Sequence, residues 1–214
     1  RQMGAPFCEI TLKNIKIREI TGKKIDFCYR TGYDVVELSI PFAAEYQVMN
    51  AAVAYAASCE LPAALGISQA QRERGLAKTR WPGRMQEAAE RIYFDGAHNM
   101  DGIRLFLQTV KEIGGERPML LFSMVREKDY HSVVRLLAGD VDWGEVVLTK
   151  IPDERGLEPE LLREEFSLFG RETTVIYDCK DAYAYAVSKK AKGQYLFCSG
   201  SLYLIGELEK QDQI

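Results

Sequence analysis

"RIYFDGAHNMDGIRLFLQTV", residues 91–110, contains one complete strand–loop–helix unit. Residues 91–94 form a short apolar run of strand length. Ile103, Phe106, Leu107 and Val110 then recur at i, i+3, i+4 and i+7, which predicts an amphipathic helix with one buried stripe. Asp95, His98 and Asn99 sit at the corner between the two elements.

The same rhythm continues downstream. "PMLLFSM" (118–124), "EVVLT" (145–149), "TTVIY" (173–177) and "QYLFC" (194–198) read as further strands separated by helical stretches. Gly139, Gly170 and Gly193 fall where glycines end helices. Strands alternating with helices predict an α/β architecture, a Rossmann-like, mostly parallel sheet with helices on both faces, over residues 85–214. In such open sheets ligands bind beyond the carboxyl ends of the strands. The segments there are "DGAHNMDG", "VREKDYH", "KIPDER", "DCKDA" and "SGSLYLIGE". Two readings of the first loop stand side by side. It is a ligand-contacting turn, or Asp95 or Asn99 simply caps the helix beginning near Met100 while His98 is a satisfied polar residue. No G-x-G-x-x-G and no G-x-x-x-x-G-K-[ST] occurs, so neither a dehydrogenase-type dinucleotide loop nor a phosphate-cradling P-loop is present.

Upstream the pattern differs. "CEITLKNIKIREI" (8–20), "KKIDFCYR" (23–30) and "YDVVELSIP" (33–41), separated by "TGKK" and "TGYD", predict a small antiparallel β-meander. "YQVMNAAVAYAASCEL" (46–61) predicts a helix with Met49, Val53 and Ala56 or Ala57 on one face, ended by Pro62. "ISQAQRERGLAK" (67–78) predicts a second helix, opened by a Ser68/Gln71 capping box with Ile67 as its hydrophobic staple. "TRWPGR" (79–84) is a linker, because Pro82 and Gly83 stop any helix. The expected organisation is thus a first part over 1–78, a linker over 79–84 and the α/β domain over 85–214.

The net charge is −3, from 28 Lys and Arg against 31 Asp and Glu, with no basic cluster, so there is no electrostatic footprint for nucleic acid. No apolar stretch reaches the roughly 18 residues of a membrane span, and the basic, polar start is no signal peptide. A cytoplasmic location is expected. The five scattered cysteines form no C-x-x-C pair and read as free thiols in the core of a reducing-compartment protein. With two histidines and no clustered sulfur, no metal site is expected within these residues.

Several motifs together resemble the folylpolyglutamate synthases, the folate branch of the Mur ligase superfamily, including its bifunctional dihydrofolate/folylpolyglutamate type. These are the helix start Tyr46-Gln-Val-Met-Asn50-Ala51, "WPGR" (81–84), "DGAHN" (95–99) and "SGSLYLIGE" (199–207), in order over roughly 160 residues. The resemblance implies a carboxyl-terminal portion of such an enzyme. Residues 1–78 would end its central ATP-binding domain, 85–214 would be its glutamate-ligase domain, and the P-loop region would be missing. It implies ATP-dependent amide formation through an acyl phosphate. Its substrates would be glutamate, folate or dihydropteroate, and ATP with Mg²⁺, whose ligands are expected mainly in the missing amino-terminal region. No nucleic acid or membrane partner is implied, and the isolated chain is expected to be inactive.

Residue by residue, Asn50 resembles the family's adenine-contacting asparagine and Arg84 its arginine reaching the ATP phosphates. Asp95 resembles the carboxylate on the nucleotide side, and His98 the histidine facing the phosphate region. Ser199 and Ser201 resemble glutamate-pocket residues, with Lys128 on the same rim as a counter-charge for a carboxylate or as a solvated pair with Asp129. Two departures stand out. Gly-x-His-Gln is here Ala44-Glu45-Tyr46-Gln47, and Met100 replaces a common proline. A peptidoglycan-precursor Mur ligase, where Asp-Tyr-Ala-His-Asn is the usual loop, is the nearest alternative. A non-catalytic Rossmann-like binding module is another. A P-loop encoded upstream of Arg1 would discriminate the enzyme from the module.

Overall fold

The computed structural model describes residues 7–32, 34–61 and 63–210. The chain divides into two compact units, Arg1–Arg80 and Trp81–Ile214.

The first unit is built on an antiparallel sheet of β1 (Ile15–Ile20), β2 (Ile25–Thr31) and β3 (Asp34–Ile40), in that order. Ile25, Phe27 and Tyr29 of β2 pair with Ile40, Leu38 and Val36 of β3, so one face of both strands is apolar. Helix α1 (Gln47–Cys59) covers that face with Val48, Ala51, Ala52 and Tyr55. The Tyr29 and Tyr55 rings meet edge to face at 6.1 Å. The face expected from spacing is met only in part: Ala56 packs against this core, but Val53 is half exposed and Ala57 is exposed. The helix carries small apolar residues all round, so periodicity could not choose a side, and the sheet selected the one bearing the aromatic ring. Helix α2 (Gln69–Ala77) opens with the expected capping box, Ser68 Oγ accepting from Gln71 N–H and Gln71 Oε1 from Ser68 N–H. Pro62, and Tyr33 of the second turn, lie outside the described residues.

The second unit is a six-stranded sheet in the order β4-β5-β9-β6-β7-β8: β4 (Gln86–Ala89), β5 (Ile92–Phe94), β6 (Met119–Phe122), β7 (Glu145–Leu148), β8 (Thr174–Val175) and β9 (Leu196–Ser199). All pairs are parallel except β4 with β5. Strand β4 was not expected. Its polar "QEAA" has no strand signature, and it exists because it pairs with β5 along an edge. Helices α3 (Met100–Ile113), α4 (Tyr130–Asp140) and α5 (Pro159–Ser167) pack in sequence on one another, and α6 (Cys179–Lys189) packs on α7 (Leu202–Glu209).

Burial on both faces explains the continuous apolar strands. Phe94, Met119, Leu121, Leu196 and Cys198 point to Ala182, Tyr183 and Ala186 of α6 and Leu204, Ile205 and Leu208 of α7. On the other face Tyr93, Phe197, Phe106 and Trp143 form a chain of ring contacts at 5.6–6.5 Å. Ile103, Phe106, Leu107 and Val110 are all buried, as their spacing predicts. Gly139 lies within the last turn of α4 rather than after it. Cys28, Cys179 and Cys198 are buried, but Cys8 and Cys59 are exposed, Cys8 ahead of the first strand and Cys59 at the end of α1.

The sheet has a topological switch point. Strand β9 lies between β5 and β6, yet the chain leaves β5 and β6 for α3 and α4 and leaves β9 for α7 on the opposite face. Neighbouring connections diverge there, opening a site at the carboxyl ends of these three strands.

Candidate functional site at the carboxyl edge of the sheet

Asp95 follows β5 directly and is 3% exposed. Its N–H donates to Cys198 O of β9 at 2.9 Å. Its two carboxylate oxygens reach different segments: Oδ1 accepts from Ala97 N–H at 2.8 Å and Oδ2 from Met85 N–H at 2.9 Å. Burial pushes this carboxyl up to about 6, against the two backbone N–H donors and the Arg84 charge, which pull it down. A second tie joins the same segments, since Gly96 N–H donates to Gly83 O at 2.8 Å. The linker turn is sharp. Gly83 has φ +67° and Met85, a residue with a side chain, φ +46°.

Arg84, half-buried, places its guanidinium over the Trp81 ring at 5.6 Å, with Nη1 3.4 Å from Gly83 O. Gly96 leaves room for this group: a Cβ there would lie 3.1 Å from Arg84 Nη1 and 2.2 Å from Leu202 Cδ2 of α7. Linker, loop and α7 therefore converge on one glycine. His98 Nδ1 lies 2.8 Å from Gly96 O. A carbonyl only accepts, so Nδ1 carries the proton and Nε2 has no protein partner among the described residues. Asn99 is the helix cap, its Oδ1 accepting from Gly102 N–H at 2.8 Å. The capping explanation thus holds for Asn99 and not for Asp95.

At the end of β9, Ser199 is fully buried and its Oγ has no partner among the described residues. Ser123, at the end of neighbouring β6, shares that condition. Gly200, at φ +106°, fits between them because a Cβ would sit 2.1 Å from Ser123 O. Ser201 caps α7, its Oγ accepting from Tyr203 N–H at 3.1 Å and its own proton remaining to donate. Lys128 is exposed after β6, and its neighbour Asp129 caps α4 through Ser132 N–H at 3.1 Å. Asp129 therefore acts as a cap rather than as the partner of Lys128.

Arg155 was not singled out from sequence. Its guanidinium lies 4.4 Å from the Tyr203 ring centre and donates to Asp153 at 3.0 Å, while Arg155 O accepts from Arg126 N–H at 2.8 Å. The loops after β6 and β7 and the first turn of α7 thus form one basic, aromatic corner. "KIPDER" was legible as a rim loop, but nothing local links Arg155 to a tyrosine in the last helix. The structure brings Arg84, Asp95, His98, Ser199 and Ser201 onto adjoining strand ends, with Lys128 on the loop after β6. Asn50 belongs to the first unit, exposed in the first turn of α1 and donating to Gln47 Oε1 at 2.9 Å. Among the described residues no three His, Cys, Asp or Glu are grouped to hold a metal ion. Nor is any helix long and apolar enough to cross a membrane.

A family model described as "Mur ligase, glutamate ligase domain" matches residues 83–202, from the linker glycine to the first residue of α7. The chain is 26% identical over 156 residues to a dihydrofolate synthase/folylpolyglutamate synthase of Bacillus subtilis, covering 68% of this chain and 34% of that protein. It is 27% identical over 182 residues to the folylpolyglutamate synthase of Lacticaseibacillus casei, covering 79% of this chain and 39% of that protein. Among solved structures, E. coli FolC in complex with ADP superposes with a TM-score of 0.77 at 20% identity, over 93% of this chain and 46% of that one. The chain therefore spans less than half the length of these proteins.

Proposed function

Because the chain belongs to the Mur ligase family and carries its glutamate ligase domain, we propose that it is the carboxyl-terminal part of a folylpolyglutamate or bifunctional dihydrofolate/folylpolyglutamate synthase. In the complete enzyme a folate carboxylate takes the γ-phosphoryl group of ATP, releasing ADP. The amino group of glutamate then displaces phosphate from the acyl phosphate and forms the amide. Side chains supply little covalent chemistry to such a reaction, so positioning and charge neutralisation carry it.

The convergence on Gly96 supports this reading best. Leu202 and Arg84 occupy the space beside that residue, so the tyrosine of the peptidoglycan-ligase loop would fit there only if those side chains moved. Arg84 neutralises phosphate charge that develops in the transition state. His98, held through Nδ1, presents Nε2 to the phosphate region. Ser201, with a proton free to donate at the amino terminus of α7, and the unpartnered Ser199 hydroxyl bind the glutamate carboxylate, with Lys128 as counter-charge. Asn50 contacts adenine, and Asp95 serves the nucleotide side. A divalent ion, Mg²⁺ in this reading, neutralises the triphosphate when bound. No residue of this chain is assigned to hold it.

The test is an assay of a polypeptide joining this chain to a P-loop-bearing amino-terminal part. ADP release should require ATP, a folate and glutamate together, with a glutamylated folate as product. Glutamylation of no folate, with turnover of a UDP-linked peptidoglycan precursor, would assign it to the other branch. Ligand binding without turnover would make it a binding module. The isolated 214-residue chain should show no turnover above a heat-treated control.

A further inference from the structure

The carboxylate of Asp95 is tied into the protein through both of its oxygens. Both oxygens accept backbone N–H groups, one from the loop 95–97 and one from the linker, and the residue is 3% exposed. We infer that Asp95 is a positioning residue for Arg84: it clamps Met85 N–H and so sets the direction in which the preceding arginine leaves the linker.

Three observations carry this. Met85 sits at φ +46°, a conformation that a residue with a side chain adopts only when its surroundings hold it, and that turn aims its N–H at Asp95 Oδ2. Gly83 O, one residue before Arg84, accepts from Gly96 N–H at 2.8 Å and lies 3.4 Å from Arg84 Nη1, so both sides of the arginine are tied to the Asp95 loop. The guanidinium then lies on Trp81 and beside Gly96, at the edge where the strands end. A buried carboxylate bonded to two fixed donors defines direction better than a flexible pair would, because neither donor can rotate away. The consequence for catalysis rests on the reading of Arg84 as a phosphate-facing group. The clamp itself does not.

The clamp is tested on the 214-residue chain without nucleotide. Of its two tryptophans Trp81 is 51% exposed and Trp143 3%, so iodide quenching reports on Trp81 and its arginine. In Asp95→Asn an amide NH₂ opposes a backbone donor. Exchange of the Met85 amide should accelerate about tenfold or more, and Trp81 quenching should shift toward the value of Arg84→Ala. Asn99→Ala, which removes only the α3 cap, should lower the melting temperature and leave both readouts in place. Unchanged Met85 exchange or quenching in folded Asp95→Asn, or an equal change in Asn99→Ala, overturns the inference. Should Asp95→Asn not fold, the unmutated chain decides: Met85 should be protected far more than the linker amides of Trp81 and Arg84, and equal exchange overturns the clamp. Neither readout needs ATP, so a failure of the ligase reading leaves this result standing, and the reverse.

Discussion

Leu202, the first residue of α7, fills the space that a side chain at Gly96 would need; a Cβ there would lie 2.2 Å from its Cδ2 and 2.7 Å from its Cγ. Gly96 does not have a positive φ, so the requirement for glycine is space alone. The last helix thereby sets how close the rim loop comes to Arg84.

Gly96→Ala should therefore destabilise the second unit by about 1–3 kcal/mol, the usual cost of overpacking. Gly96→Ala with Leu202→Ala should recover part of that loss. Urea denaturation of the single and double variants measures both, and a neutral Gly96→Ala would mean that Leu202 swings aside freely.

Asp95 makes stability depend on pH in a defined direction. Its folded value of about 6 lies above the ordinary 3.8, so the folded state holds the proton more tightly. The resulting stabilisation is fully present below the unfolded value and lost as pH rises through about 6. It is worth on the order of 3 kcal/mol across that window. Asp95→Asn should abolish it. Denaturation at about pH 4.5 and about pH 7.5, to either side of that value, should show the wild type gaining stability relative to the variant toward acid, and parallel profiles would contradict the assignment.

On the proposed role of Arg84 as a group that neutralises phosphate charge as it develops, Arg84→Ala in a ligase containing this chain should lower kcat by about 10²-fold or more. His98→Ala should slow turnover without emptying the nucleotide site. Steady-state kinetics beside melting temperatures separate these effects from unfolding, and a folded Arg84→Ala with full activity would refute the role.

Ser201 caps α7 and is proposed to bind glutamate, and substitutions can separate the two. Ser201→Ala removes a cap, costing about 0.5–2 kcal/mol of stability, and a donor to a charged ligand, worth about 1.5–3 kcal/mol in glutamate KM. Ser201→Asp should keep the cap and repel the carboxylate. A near-normal melting temperature with a still higher glutamate KM is the expected result. An unchanged KM in both variants would leave Ser201 as a cap only.

Local pattern was enough for elements whose burial has one period. The stripe of α3, the apolar strands β6, β7 and β9, and the Ser68 capping box could be read directly, because each depends on neighbours three or four residues away or on a run buried on both faces. The order of strands and helices likewise implied a mostly parallel sheet with its loops on one rim, which drew attention to Asp95, His98 and Asn99, whereas Arg84, Ser199 and Ser201 were named through the family resemblance. Other features required the folded chain. The buried face of α1 was decided by Tyr29 on the sheet, and β4 by the backbone of β5. The meeting of Arg155 with Tyr203 depends on strand β9 returning between β5 and β6. The partners of Asp95 depend on a left-handed turn at Met85 that no residue type announces. Periodicity records how one element meets its environment. Hydrogen-bond partners and the close approach at Gly96 are set by atoms from distant segments, whose positions exist only once the sheet has formed.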